Sequence, residues 1–239
     1  MRVALVQMSL SMRGRSENLT RCVRALVAAA EADPAPDLVV LPAGCDGPRR
    51  AEVSPAMVHG FAESLAAVSR EWGIYTAAGF LHFGGSGLVE AARLYDPDGD
   101  RIALCAAGSG PASCPVCVTP FGRIGVALAC GEEIGPEGAE DCEGLIVTGR
   151  WSARQEDLAS LRESLRDRFG ALARRLAVPV CLAGPVSESC GGEMLAGGTA
   201  VFDRDGRCLA EAAAAVPDIL FQEILVPDTP RRAEEAPAG

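Results

Sequence analysis

The stretch Thr119-Pro-Phe-Gly-Arg-Ile-Gly-Val-Ala-Leu-Ala-Cys-Gly-Glu-Glu133 decides how this chain is read. Pro120 to Arg123 has the residue types of a tight turn. Ile124 to Ala129 follows as a run of β-branched and small apolar residues, which suits a strand covered on both faces. The run ends at Cys130-Gly131-Glu132-Glu133, where a reactive side chain can be presented at the end of a strand.

Upstream, Val3 to Met8 and Asp37-Leu-Val-Val-Leu-Pro42 are further apolar runs of strand length. Between them Leu19, Cys22, Val23, Leu26, Val27 and Ala30 form one helical stripe, with Ser16 as the expected cap. Ser54-Pro55 opens a second helix in cap-then-Pro order, with Phe61, Leu65, Val68 and Trp72 on its inner face. Ile74 to Phe80 and Ala91 to Asp96 read as strands. Asp96-Pro-Asp-Gly99 turns the chain back into Arg101 to Ala106. Gly108 to Cys117 reads as an irregular link. Downstream come a strand at Gly144 to Thr148, a long helix over Ala153 to Leu176, and a strand at Val178 to Ala183. A hairpin around Asp203-Arg-Asp-Gly206 and a last strand at Ile219 to Val226 follow. The mixture of βαβ units and Asp-x-Asp-Gly hairpins predicts sheets covered by helices, an α/β (α+β) architecture. Residues 1–226 read as a single domain and 227–239, rich in Pro, Ala, Glu and Arg, as a mobile arm.

The bulk numbers exclude several classes. A net charge of −10 over 239 residues argues against nucleic acid or an anionic membrane as partner. No apolar run reaches the length of a membrane span. The first residues lack a signal-peptide pattern, and most of the 10 cysteines sit in apolar runs. The expectation is a reducing cytoplasm with free thiols. All 22 basic residues are Arg, so no mechanism that needs a lysine amine is available.

The opening stretch resembles the nucleophile strand of the carbon–nitrogen hydrolase (nitrilase) family. The likeness extends over nearly the whole chain, through Val3 to Met8, Glu17-Asn18-Leu19, Asp37 to Pro42, Tyr95-Asp-Pro-Asp-Gly99, Gly198 to Gly206 and Leu209-Ala-Glu211. The resemblance implies a four-layer α-β-β-α sandwich, paired into homodimers. It also implies hydrolysis of amides, nitriles or carbamoyl compounds by a Glu–Lys–Cys triad without a cofactor. In such a triad a thiol needs a base and a cation at its side before it can attack. Carried over residue by residue, the Glu position is Ala43, the Lys position Ala107 and the Cys position Ala129.

The reading that follows is a family homologue without catalytic activity. It keeps a binding role for a partner protein or for a small amide-like or carboxylate ligand in a vestigial pocket. The alternative is a divergent amide or nitrile hydrolase using Cys130 as a displaced nucleophile. Glu132 or Glu133 would be its base, with Arg123 or Arg150 as cation. If the resemblance holds, Ala43, Ala107 and Ala129 should converge while Cys130 turns into packing, because one residue along a strand reverses the side chain. Cys130 beside a carboxylate and an Arg would favour the hydrolase instead. Cys114-Pro-Val-Cys117 has the spacing of half a metal knuckle, an alternative to a chain without metal.

Overall fold

The computed structural model describes residues 1–11, 14–47, 53–85, 87–107, 114–130, 139–187 and 192–225. In chain order the elements begin with β1 (Arg2–Gln7), α1 (Arg15–Ala30), β2 (Leu38–Val40), α2 (Pro55–Trp72) and β3 (Tyr75–Gly84). Next are β4 (Gly87–Tyr95), β5 (Arg101–Ala106), β6 (Val116–Thr119), β7 (Gly122–Cys130), β8 (Gly144–Arg150) and β9 (Ser152–Arg154). The chain continues with α3 (Leu158–Leu176), β10 (Val180–Ala183) and β11 (Glu193–Leu195). It closes with β12 (Ala200–Phe202), β13 (Cys208–Glu211) and β14 (Asp218–Glu223).

Two six-stranded mixed sheets dominate, in the orders β14-β1-β2-β3-β4-β5 and β13-β12-β10-β8-β7-β6. Strand periodicity explains the layers, because successive side chains point to opposite faces. In β1, Val3 and Leu5 face the layer between the sheets, while Ala4 and Val6 face α1 and α2 through Cys22, Leu26, Phe61 and Leu65. In β7, Ile124 and Val126 belong to the same inter-sheet layer, and Ala127 and Ala129 pack beneath α3 with Leu145, Phe169 and Leu172. The result is the four-layer α-β-β-α sandwich. Among the described residues no helix is long and apolar enough to cross a membrane.

Several local expectations hold and others do not. Ser54 caps α2, its hydroxyl accepting from Met57 N, with Pro55 in the first turn. Asp96 closes the β4–β5 turn by accepting from Asp98 N and Asp100 N. Ser16 is not a cap. α1 starts two residues earlier with Gly14 at its N-cap, and Asn18 ties its first turn to the Ser11 backbone by hydrogen bonds of 2.7 and 3.0 Å. The long helix is shorter than expected: Ser152–Arg154 is drawn into a two-stranded ribbon with β11, and α3 begins at Leu158. The end of the expected link, Val116 to Thr119, is a strand paired with β7, so Pro120 turns a hairpin. Gly108 to Ser113 lie outside the described residues, as does the C-terminal arm.

Candidate active site

The strand parity of β7 settles where Cys130 points. Ile124, Val126 and Cys130 are even-numbered along one strand, so Cys130 continues the face that looks into the inter-sheet layer. β8 runs parallel beside it, with Cys130 opposite Arg150, and Ile146, Thr148 and Arg150 share that face. On the opposing sheet, β4 presents Glu90 in the same alternation as Ala92 and Leu94. The two sheets thus bring Cys130, Arg150 and Glu90 together at one end of the layer.

The Cys130 thiol donates to Glu90 Oε2 at 2.8 Å, and Glu90 Oε1 is ion-paired with Arg150 Nη2. Side-chain exposures of 17% for Glu90 and 27% for Arg150 leave both partly reachable from solvent. Burial pushes the Cys130 thiol well above its ordinary value, and the charge and hydrogen bond of Glu90 push it the same way; Arg150 opposes them. Burial and Glu90 thus favour the neutral Cys130 thiol over a preformed thiolate.

Arg150 has a seat of its own. Gly44 adopts φ +75°, and a Cβ there would meet Arg150 Cδ at 3.0 Å and Nη1 at 3.2 Å. The absence of that Cβ lets the guanidinium stem lie against the turn that follows β2. The turn is held in place by Ala43 N donating to Gly149 O and Cys45 N donating to Gly79 O.

The three family positions do not form one apolar depression. Ala43, fully buried, immediately precedes the Gly44 seat. Ala107 is exposed, and its N–H donates to Glu90 O at 2.8 Å, so it borders the cluster from the neighbouring strand. Ala129 is on the other face of its sheet, packed with Ala127, Val147 and Trp151 beneath α3. Cys130 does not turn into packing but meets the carboxylate. Glu132 and Glu133 lie outside the described residues. Arg123 is ion-paired with Glu143 at the opposite end of β7, so of the two candidate arginines it is Arg150 that joins the cluster.

Glu90 was not singled out in the sequence. The signal was available in principle: Glu90 interrupts a strand whose alternate residues Ala92 and Leu94 are apolar and inward-facing. It pointed nowhere until the facing strand was known.

Cys114 and Cys117 diverge. Cys114 is buried beneath α3 near Cys142, whereas Cys117 faces the inter-sheet layer and donates to Ile102 O. An odd spacing on an extended segment puts the two thiols on opposite faces. Among the described residues no group of three His, Cys, Asp or Glu side chains is placed to hold a metal.

No protein-family model matches the sequence, and no curated protein matches it. Solved structures do. An amidase from Nesterenkonia sp. superposes with a TM-score of 0.77 at 19% identity, covering 94% of this chain and 90% of that one. A mutant of the amidase from Nesterenkonia sp. AN1, carrying acrylamide added at its active-site cysteine, gives 0.76 at 20% identity over 94% and 93% of the two chains. Another mutant of that amidase, in complex with butyramide, gives 0.77 at 20% identity over 94% and 91%. This chain therefore has the α+β fold of a nitrilase-superfamily amidase.

Proposed function

We propose that this chain hydrolyses a non-peptide carbon–nitrogen bond, that of a small amide, through Cys130. The observation that carries the proposal is the hydrogen bond from the Cys130 thiol to Glu90, itself ion-paired with Arg150. Nucleophile, base and cation are the three parts that thiol-dependent acyl transfer requires. Cys130 Sγ attacks the amide carbon while its proton passes to Glu90, so that no free thiolate has to accumulate. Arg150 offers positive charge and N–H donors to the oxygen of the tetrahedral intermediate. Glu90 returns the proton to the departing nitrogen, leaving a thioester. Water, deprotonated by Glu90, then attacks the thioester carbon and regenerates the thiol. Arg differs from the family's Lys in spreading its charge over a planar fork, which suits an oxyanion approached from the side.

The test uses purified protein with butyramide and acrylamide. The expected result is ammonia release from butyramide, lost in Cys130→Ala, together with an acrylamide adduct mapped to Cys130. Absence of turnover, or an adduct only on other cysteines, overturns the proposal.

One observation favours a second reading, the inactive homologue with a binding role. The thiol is held protonated by burial and by Glu90, and Ala43, Ala107 and Ala129 replace the family's triad. On that reading a small amide or carboxylate binds without turnover, as heat of binding with no ammonia release. Both readings place the chain in the cytoplasm as a homodimer, the isologous pairing that cyclic dimers use. Light scattering at micromolar concentration should give twice the chain mass; a monomer removes that part of the proposal.

A further inference from the structure

One step deeper in the inter-sheet layer than the Cys130–Glu90–Arg150 cluster lies the side chain of Thr148. Arg150 stands opposite Cys130 in the β7–β8 ladder, and Thr148, two residues earlier on the same inward face, stands opposite Leu128. On the other sheet Glu90 pairs with Leu81, and the next pair on that face is Ala92 with Gly79. A Cβ at Gly79 would lie 2.8 Å from Thr148 Oγ1 and 2.6 Å from Ala43 Cα, so Gly79, Ala43 and Thr148 close against one another beneath the cluster. Thr148 is fully buried, and its Oγ1 has no hydrogen-bond partner among the described residues. A hydroxyl taken out of water without a partner is destabilising, which makes it a group that a bound molecule can satisfy.

Resting on the Cys130 site proposed above, we infer that Thr148 determines its specificity, selecting small amides whose acyl group carries a hydroxyl on the β carbon. Two residues along a strand span about 6.6 Å. With the carbonyl carbon at Cys130 Sγ, a three-carbon acyl chain running along the strand brings its β substituent within hydrogen-bond reach of Thr148 Oγ1. A hydroxyl there donates to Oγ1 or accepts from it, and so supplies the missing partner. A methyl in the same place leaves Oγ1 unpaired, which is why a site built to bond a substrate hydroxyl discriminates against the analogue without it. At that depth the neighbours Gly79, Ala43 and Ala92 carry no charge, which suits a neutral hydroxyl rather than a carboxylate or an ammonium group.

The experiment compares β-hydroxypropionamide with butyramide, the same chain ending in a hydroxyl or a methyl, on the full-length protein. In the parent, kcat/KM for the hydroxy amide should exceed that for butyramide about tenfold, the worth of one hydrogen bond. Thr148→Val, which keeps the branched shape, should bring that ratio to about one, chiefly by slowing the hydroxy amide. Its melting temperature without ligand should equal or exceed the parent's, because the variant removes an unpaired buried hydroxyl. Calorimetry on Cys130→Ala repeats the comparison without turnover: the hydroxy amide should bind more tightly than butyramide, and adding Thr148→Val should abolish the difference. The same preference in the parent and in Thr148→Val overturns the inference, as does binding of neither amide. A Thr148→Val that melts well below the parent also overturns it, since the hydroxyl would then already be satisfied. Binding preference that depends on Thr148 without any ammonia release supports the Thr148 assignment and removes the hydrolytic reading alone.

Discussion

Glu90→Gln should move two properties of Cys130 in opposite directions: amide turnover falls, and alkylation of the thiol speeds up. Turnover falls because Gln cannot accept the thiol proton, and loss of a general base costs about 10²–10⁴ in rate. Alkylation quickens because the thiol is held protonated first by burial and then by the charge and hydrogen bond of Glu90, while Arg150 acts the other way. Removing the carboxylate leaves burial opposed by an Arg150 that has lost its ion-pair partner. The thiol then ionises more easily, and each unit of lowered pKa raises the thiolate fraction about tenfold at neutral pH. Iodoacetamide labelling followed by peptide mass spectrometry reads the second effect, and ammonia release reads the first. A purely packed thiol would show neither change. Arg150→Met supplies the control of sign: it removes the opposing charge and should slow labelling of Cys130. Labelling that falls in Glu90→Gln, with the fold intact by circular dichroism, would refute the electrostatic account of the site.

Gly149→Ala should be the most damaging single methyl added near the site. A Cβ at Gly149 would lie 1.8 Å from Trp151 Cη2 and 2.3 Å from Cζ3, inside the ring. Trp151 has nowhere simple to go: it is 5% exposed, stacks edge-on against Phe169 at 5.6 Å, and packs with Ala129 and Leu145 beneath α3. Gly149 itself is held on both sides, paired with Ala129 in the sheet and accepting from Ala43 N. The expected penalty is about 3 kcal/mol, the upper part of the overpacking range. At about 2–4 °C per kcal/mol for a chain of this size, melting falls by roughly 6–12 °C. In a Trp151→Ala background the same methyl should cost much less, since the ring it meets is gone. Equal penalties in the two backgrounds would show that the strain lies elsewhere. Because Arg150 is the next residue, the variant should also disturb the Glu90–Arg150 pair and lower turnover.

How far a residue's role could be read from the chain depended on how local its cause is. Ser54 as a cap and Asp96 as a turn residue act on backbone groups two to four positions away, so their types and positions sufficed. Ser16 is no cap because the helix already begins at Arg15, with Gly14 at its N-cap, while Asn18 ties the helix to the Ser11 backbone. Ala153 and Arg154 left the long helix because β11 offered a strand partner some forty residues downstream, a contact that helical periodicity cannot register.

The candidate site divides along the same line. From the residues alone came alternating strands, sheets covered by helices, the absence of lysine, and alanines at 43, 107 and 129; the four-layer sandwich came from the family resemblance. These are properties of residue type and order. The meeting of Glu90 with Cys130 was decided only by the tertiary structure. The two residues are 40 apart in the chain and sit on different sheets. Strand alternation says that a side chain faces inward, but not which strand of which sheet lies opposite. Packing of the two sheets across Ala92, Leu94, Ile124, Val126 and Ile146 sets that register. It leaves Glu90, Cys130 and Arg150 at one end of a layer filled mainly with apolar side chains.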